Sequence, residues 1–170
     1  TAISTAFHFL LRSSGYLRKA SSLDPEKCLR VEHIVCPING EDESAPQGVL
    51  CTEVVMFMPG AKNDWMGQGT SANIYADEDG HPLCVVRLFN LMRAAKPSHL
   101  TTGNSGTHVF TLTSGKVLHR DKVEEKLRQA AQQLKVPASM VSTHSLRAGG
   151  ATAMWAAGYS VEEIQRRGRW

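Results

Sequence analysis

The hydrophobic period changes along this chain, and the change restricts the folds open to it. After Pro82 the apolar residues follow the 3.6-residue repeat of a helix through four stretches: PLCVVRLFNLMRAAK, DKVEEKLRQAAQQLKV, HSLRAGGATAMWAAG and VEEIQRR. Before it, three shorter runs have strand character: CLRVEHIVCPI, VLCTEVVMFMP, rich in large and β-branched residues, and TSANIYA. The chain opens on a further helical pattern, AISTAFHFLLRSSGYLRK, with Phe7, Leu10, Leu11 and Leu17 on one face. Turn-rich segments, NGEDESAPQG and GAKNDWMGQG, separate the strands. The expected order is one helix, three strands and four helices. That is an α+β fold, mainly helical, with a small three-stranded antiparallel sheet whose last two strands form a hairpin.

Local signals set the expected boundaries. Pro82 opens the first late helix, and Asp121 caps the second, which turns Val123, Leu127, Ala130, Ala131 and Leu134 inward and stops at Pro137. Ser142 or Thr143 caps the third, and Gly158 ends it. Ser160 and Glu163 have capping-box spacing for the fourth. VFTLT, at residues 109–113, reads as a brief extended piece, and Trp155 as a core residue.

The composition is that of an ordinary globular protein: 170 residues, 42% hydrophobic and 21% charged, enough for one core and one domain. No apolar run is long enough to cross a bilayer, and the first residues lack the basic lead-in and cleavage site of a signal peptide. The reading is a soluble, intracellular protein. Cys28, Cys36, Cys51 and Cys84 form no CxxC pair and no Cys/His group, so reduced, mostly buried thiols are expected, and no metal site. Charge is unevenly spread. Residues 1–114 hold 9 Lys+Arg against 11 Asp+Glu, whereas residues 115–170 hold 10 against 5. The C-terminal third is the part a polyanion would prefer.

One octapeptide, THSLRAGG at 143–150, carries a chemical pattern. His144 and Arg147 stand three apart in a first helical turn, so both project from one face. Free N–H groups and the positive end of the helix dipole add to that face. An anion suits it, and a phosphate best. Arginine can hold two phosphate oxygens in its planar fork, and histidine can exchange a proton near neutral pH. Gly149 and Gly150 each cost a helix about 1 kcal/mol relative to alanine, which suggests a close neighbour. Arg12 stands in an apolar helix where a leucine would be expected, Lys62 lies in the turn between two strands, and Trp170 follows Gly168 and Arg169.

Taken in order, these residues resemble the catalytic domain of the tyrosine recombinases, or phage-type integrases. FLLRSSGYL is similar to the segment around that family's first arginine, and AKNDWMGQG to its lysine-bearing hairpin. HSLRAGGATAMWAAGYSVEEIQRRGRW resembles its HxxR box through to the Gly-Arg-Trp before the nucleophile. The resemblance covers nearly the whole chain, most strongly residues 7–18, 54–69 and 143–170, and points toward crypton-like recombinases of eukaryotic mobile elements.

It implies that Arg12 and Arg147 clamp the scissile phosphate and that Lys62 protonates the departing 5′-hydroxyl. His144 would accept the proton of the attacking hydroxyl, and Trp170 would pack against or donate to the phosphate. It implies duplex DNA as partner, a tetramer on DNA, a nuclear location if the source is eukaryotic, and no metal or other cofactor. Two departures stand out. Gly15 occupies a position where the family usually carries an acidic residue. The nucleophilic tyrosine is absent from the chain, because Tyr16 and Tyr159 fall in packing segments and Tyr75 in a strand. The chain, which opens on Thr1, is therefore expected to be a truncated catalytic domain, 1–170, without the amino-terminal domain or the nucleophile segment. Two alternatives remain: a decayed or domesticated copy that only binds DNA, and a helical domain whose matches are accidental.

Overall fold

The structure, a computed structural model, describes residues 1–17, 28–40, 44–46, 48–59, 66–101 and 104–170. It divides into two compact units. One is Leu29–Val109 with Thr1; the other combines Ala2–Cys28 with Phe110–Trp170. The element order is that of an α+β protein with five helices and one three-stranded antiparallel sheet.

The first unit holds the sheet, in the order β1 (Ile34–Val35), β2 (Glu53–Met58), β3 (Thr70–Tyr75). β2 and β3 pair as the expected hairpin, from Glu53 opposite Tyr75 to Met58 opposite Thr70. Val54, Met56 and Met58 are buried at every second position, as a half-buried strand requires. α2 (Val85–Ala95) covers the sheet with Val85, Val86 and Phe89.

The first expected strand shrinks to two residues. Its leading part pairs elsewhere: Val31 N–H donates to the Thr107 carbonyl at 2.9 Å, and Arg30 bridges His108. Val31–His33 then winds into a 3₁₀ turn. α2 also starts later than expected, because Pro82 lies in the preceding turn and Cys84 takes the N-cap position. The four cysteines are buried thiols.

The second unit is helical: α1 (Ala2–His8), α3 (Arg120–Gln133), α4 (Thr143–Ala156) and α5 (Val161–Gly168). α4 packs against the other three. Its N-cap is Ser142, whose hydroxyl accepts the His144 N–H at 3.2 Å. Thr143, fully buried, donates to Glu124 of α3 at 3.4 Å and so fixes where α4 begins. The Ser160–Glu163 capping box opens α5 as expected, and Gly158, at φ +86°, follows the end of α4. VFTLT forms an isolated bridge, Thr111 to Val117.

Three expectations are corrected here. His119 takes the N-cap position of α3 without a side-chain capping bond, and Asp121 lies inside the first turn. The helix ends before Pro137 because Lys135 adopts φ +57° and Val136 N–H closes on the Ala131 carbonyl, which leaves Leu134 exposed and Ala130 outward. Trp155 is 63% exposed: the buried face of α4 runs through Thr143, Arg147 and Gly150, and Trp155 falls outside it. Tyr159 is likewise half exposed. Among the described residues no helix is long and apolar enough to cross a membrane.

Gly150 is where α1 and α4 come closest. A Cβ there would stand 2.2 Å from the Phe7 carbonyl oxygen and 2.5 Å from a Leu10 methyl, whereas one on Gly149 would meet only the Phe7 ring at 3.4 Å. Gly150→Ala is expected to destabilise the fold by about 1 kcal/mol. Overpacking against immobile backbone costs about 1–3 kcal/mol, and alanine's helix preference returns only about 1. Gly149→Ala keeps that preference without the clash and is expected to be neutral or stabilising by up to about 1 kcal/mol. Urea denaturation of both variants checks the contrast.

Candidate active site

The site in the second unit begins with a turn. α1 stops at His8, and Leu10 then takes φ +49°, a left-handed conformation that costs a non-glycine residue about 1–2 kcal/mol. Two bonds close the turn in the Schellman pattern, Leu10 N–H to Phe7 and Leu11 N–H to Ala6 at 2.9 Å. Burial of Leu10 and Leu11 offsets the strain. The turn leaves the Leu10 carbonyl facing Arg147 and sends the chain out of the helix. Arg12 is therefore not helical, which corrects the sequence expectation. It sits in extended backbone as the residue before the 3₁₀ turn Ser13–Gly15.

Arg147 is the largest fully buried side chain among the described residues, 2% exposed. One guanidinium nitrogen donates to the Leu10 carbonyl and the other to the Gly168 carbonyl. The Trp170 ring lies over it, 4.3 Å from the guanidinium carbon to the ring centroid. That is a cation–π contact on a half-exposed tryptophan. Arg147 thus ties the end of α1 to the end of α5. Gly168 is required for this arrangement, since a Cβ there would sit 2.4 Å from the Trp170 ring. Gly168→Ala is expected to displace the indole from Arg147, read as a changed near-ultraviolet circular dichroism signal with little loss of helix.

The electrostatics are one-sided. Burial, reinforced by the Arg12 and Arg169 guanidiniums, pulls Arg147 from its ordinary value down to about 10. Burial, with Arg12 beside it, also lowers Arg169. At neutral pH Arg147 and Arg169 remain cations, held near one another at a cost. Among the described residues no carboxylate pairs with any of them. Two acids of α3 pair within their own helix, Glu124 with Arg120 and Arg128 and Glu125 with Lys122, and Glu163 serves the α5 cap. A cluster of guanidiniums without a counter-ion is an anion site.

The structure brings Arg147 and Trp170 into contact, and Arg12, two residues beyond the Leu10 carbonyl that Arg147 binds, is near enough to act on its charge. His144 lies in the first turn of α4, on the solvent side, with its ring exposed. Lys62 lies within 60–65, outside the described residues. Sequence reasoning missed Arg169; the signal available was the basic cluster RRGRW. Tyr16 is buried, edge-on to Phe110, and burial pushes its phenol well above the ordinary range, the reverse of what a nucleophile needs. Among the described residues no group of three or more His, Cys, Asp or Glu is placed to hold a metal ion.

No known protein family matches the chain, and no curated protein matches it by sequence. Among solved structures, its fold is similar to that of XerH site-specific recombinase in the crystal structure of a pre-cleavage complex bound to difH substrate. The TM-score is 0.61 with 11% identity, over 98% of this chain and 37% of the recombinase chain. At that identity the likeness is one of fold. This chain spans just over a third of the length of the structure it matches.

Proposed function

We propose that the chain is the catalytic part of a site-specific DNA recombinase of the tyrosine type, which breaks and rejoins duplex DNA through a 3′-phosphotyrosine. The observation that carries this reading is the buried Arg147, bonded to the Leu10 and Gly168 carbonyls and acted on by the charge of Arg12, with no carboxylate paired to it among the described residues. The fold likeness to a site-specific recombinase supports it, as does the resemblance of the stretches around Arg12, Lys62 and His144–Trp170.

In this reading Arg12 and Arg147 bind the non-bridging oxygens of the scissile phosphate and stabilise the charge that grows at the pentacoordinate phosphorus. Two carbonyls and an indole fix the position of Arg147. A tyrosine carried on a segment after Trp170 attacks phosphorus. His144 accepts the tyrosyl proton, the P–O5′ bond breaks, its electron pair leaves with O5′, and Lys62 supplies the proton to that oxygen. The phosphodiester energy is kept in the tyrosyl ester and returned on religation. Crypton-like mobile elements are the proposed source, and assembly into tetramers on DNA belongs to the same reading.

The deciding experiment extends the chain through the following segment with its tyrosine and offers it a suicide duplex bearing its recombination site. A covalent protein–DNA adduct is expected. Salt-dependent DNA binding with no adduct would instead identify a binding module that has lost its chemistry. Gly15 gives that second reading some support, since the place of the family's acidic residue is empty of side chain and a Cβ there would meet nothing within 4 Å.

A further inference from the structure

Arg169 is not among the residues that the resemblance assigns to chemistry, yet its setting makes little sense as packing alone. It closes α5 in a left-handed conformation, φ +57° and ψ +48°, with its own N–H bonded back to Arg166 and Gln165. Glycine or asparagine usually fills such a position, because a larger residue is strained there. Its Nε is buried and finds no acceptor among the described residues, although a buried donor left unsatisfied is costly. Its charge is repelled by Arg12, and it in turn repels Arg147.

The neighbouring Arg167 shows how a basic residue here can be satisfied. It reaches the His8 carbonyl at 3.4 Å and stacks over the Phe9 ring at 5.3 Å. Arg169 has neither kind of contact. The consecutive residues Gly168, Arg169 and Trp170 surround Arg147 with a carbonyl, a cation and an indole. The carbonyl and the indole stabilise Arg147, and the cation opposes it.

We propose that Arg169 is a third phosphate ligand, its orphaned Nε completing with Arg12 and Arg147 a three-guanidinium cradle for one phosphodiester. This rests on the function proposed above and adds a residue to that site. A phosphate oxygen would satisfy the buried donor and would remove the mutual repulsion of the three cations in one step.

The test uses sulfate as a small tetrahedral anion, added to the chain at constant ionic strength, with melting temperature as the readout and duplex DNA binding as the second. The wild-type chain is expected to melt several degrees higher in about 50 mM sulfate. Arg169→Gln removes the charge and keeps a side chain of similar length. It is expected to melt higher than wild type without sulfate, because repulsion is relieved, and to gain little from sulfate. Its affinity for duplex DNA should fall about tenfold. Arg169→Lys, which restores charge without the fork, should recover part of the sulfate response.

Arg12→Ala distinguishes the two readings. If Arg12→Ala loses the sulfate response and Arg169→Gln keeps it, the cradle has two arginines and this inference is wrong while the proposed function stands. If neither variant changes the response, both are wrong. A drop in melting temperature for Arg169→Gln in sulfate-free buffer would mark Arg169 as a packing residue and would also overturn the proposal.

Discussion

Arg147→Ala is expected to lower the unfolding free energy by about 3–5 kcal/mol, the largest single effect in the second unit. The substitution leaves the Leu10 and Gly168 carbonyls without their donor, at about 1–3 kcal/mol for each buried group. It also empties the volume of a side chain that is 2% exposed and takes the cation from beneath Trp170. Relief of repulsion from Arg12 and Arg169 returns part of this, so the estimate stays below the plain sum. Arg147→Lys should recover only a portion, since one ammonium on a flexible stem cannot reach two carbonyls as the planar fork does. Urea denaturation monitored by circular dichroism measures all three proteins. An unchanged midpoint for Arg147→Ala would mean that the bonds to Leu10 and Gly168 contribute nothing to the fold. The expected size has a practical consequence. Loss of DNA cleavage in an Arg147 variant reports on folding as well as on chemistry.

Arg12→Ala separates the two. Arg12 is partly exposed, lies just beyond the Leu10 turn, and has no carboxylate partner among the described residues. Its removal is expected to change stability by less than about 1 kcal/mol, because the loss of a repelled charge offsets the contacts removed. If Arg12 grips the phosphate, the same substitution should cut the rate of covalent adduct formation by about 10²–10³-fold, the usual cost of removing one donor aimed at developing charge. Adduct yield on a suicide duplex, measured with the extended chain, gives the rate, and its urea midpoint confirms the fold. A stable Arg12→Ala protein that forms adduct at the parental rate would remove Arg12 from the site and take the proposed mechanism with it. Salt titration of DNA binding adds a second check, with a shallower slope for Arg12→Ala by about one counter-ion.

Much of the fold was legible because it rests on local signals. Ser160 and Glu163 announced the start of α5, and the alternation of Val54, Met56 and Met58 announced β2. Gly150 was legible as a close approach, though not what approached. The failures came where distant chain competes with local preference. Val31 pairs with Thr107 and so leaves the strand it was assigned to. Leu10 takes a conformation that no leucine signals, and Arg12 leaves the helix as a result. Trp155 lies outside the stripe that α4 buries, because that stripe is set by which neighbours arrive.

The amino-acid sequence alone determined the order of helices and strands and the capping box that starts α5, narrowed the α4 cap to Ser142 or Thr143, and named candidate residues for a phosphate. Each depends on groups a few positions apart, whose geometry the backbone period fixes. Only the tertiary structure decided that Arg147 is buried between the ends of α1 and α5, under Trp170. Those facts depend on a left-handed turn at Leu10 and on a glycine at 150 narrow enough to let two helices touch. Sequence spacing cannot encode such a meeting, because nothing in the local period says which carbonyl a guanidinium will find more than a hundred residues away.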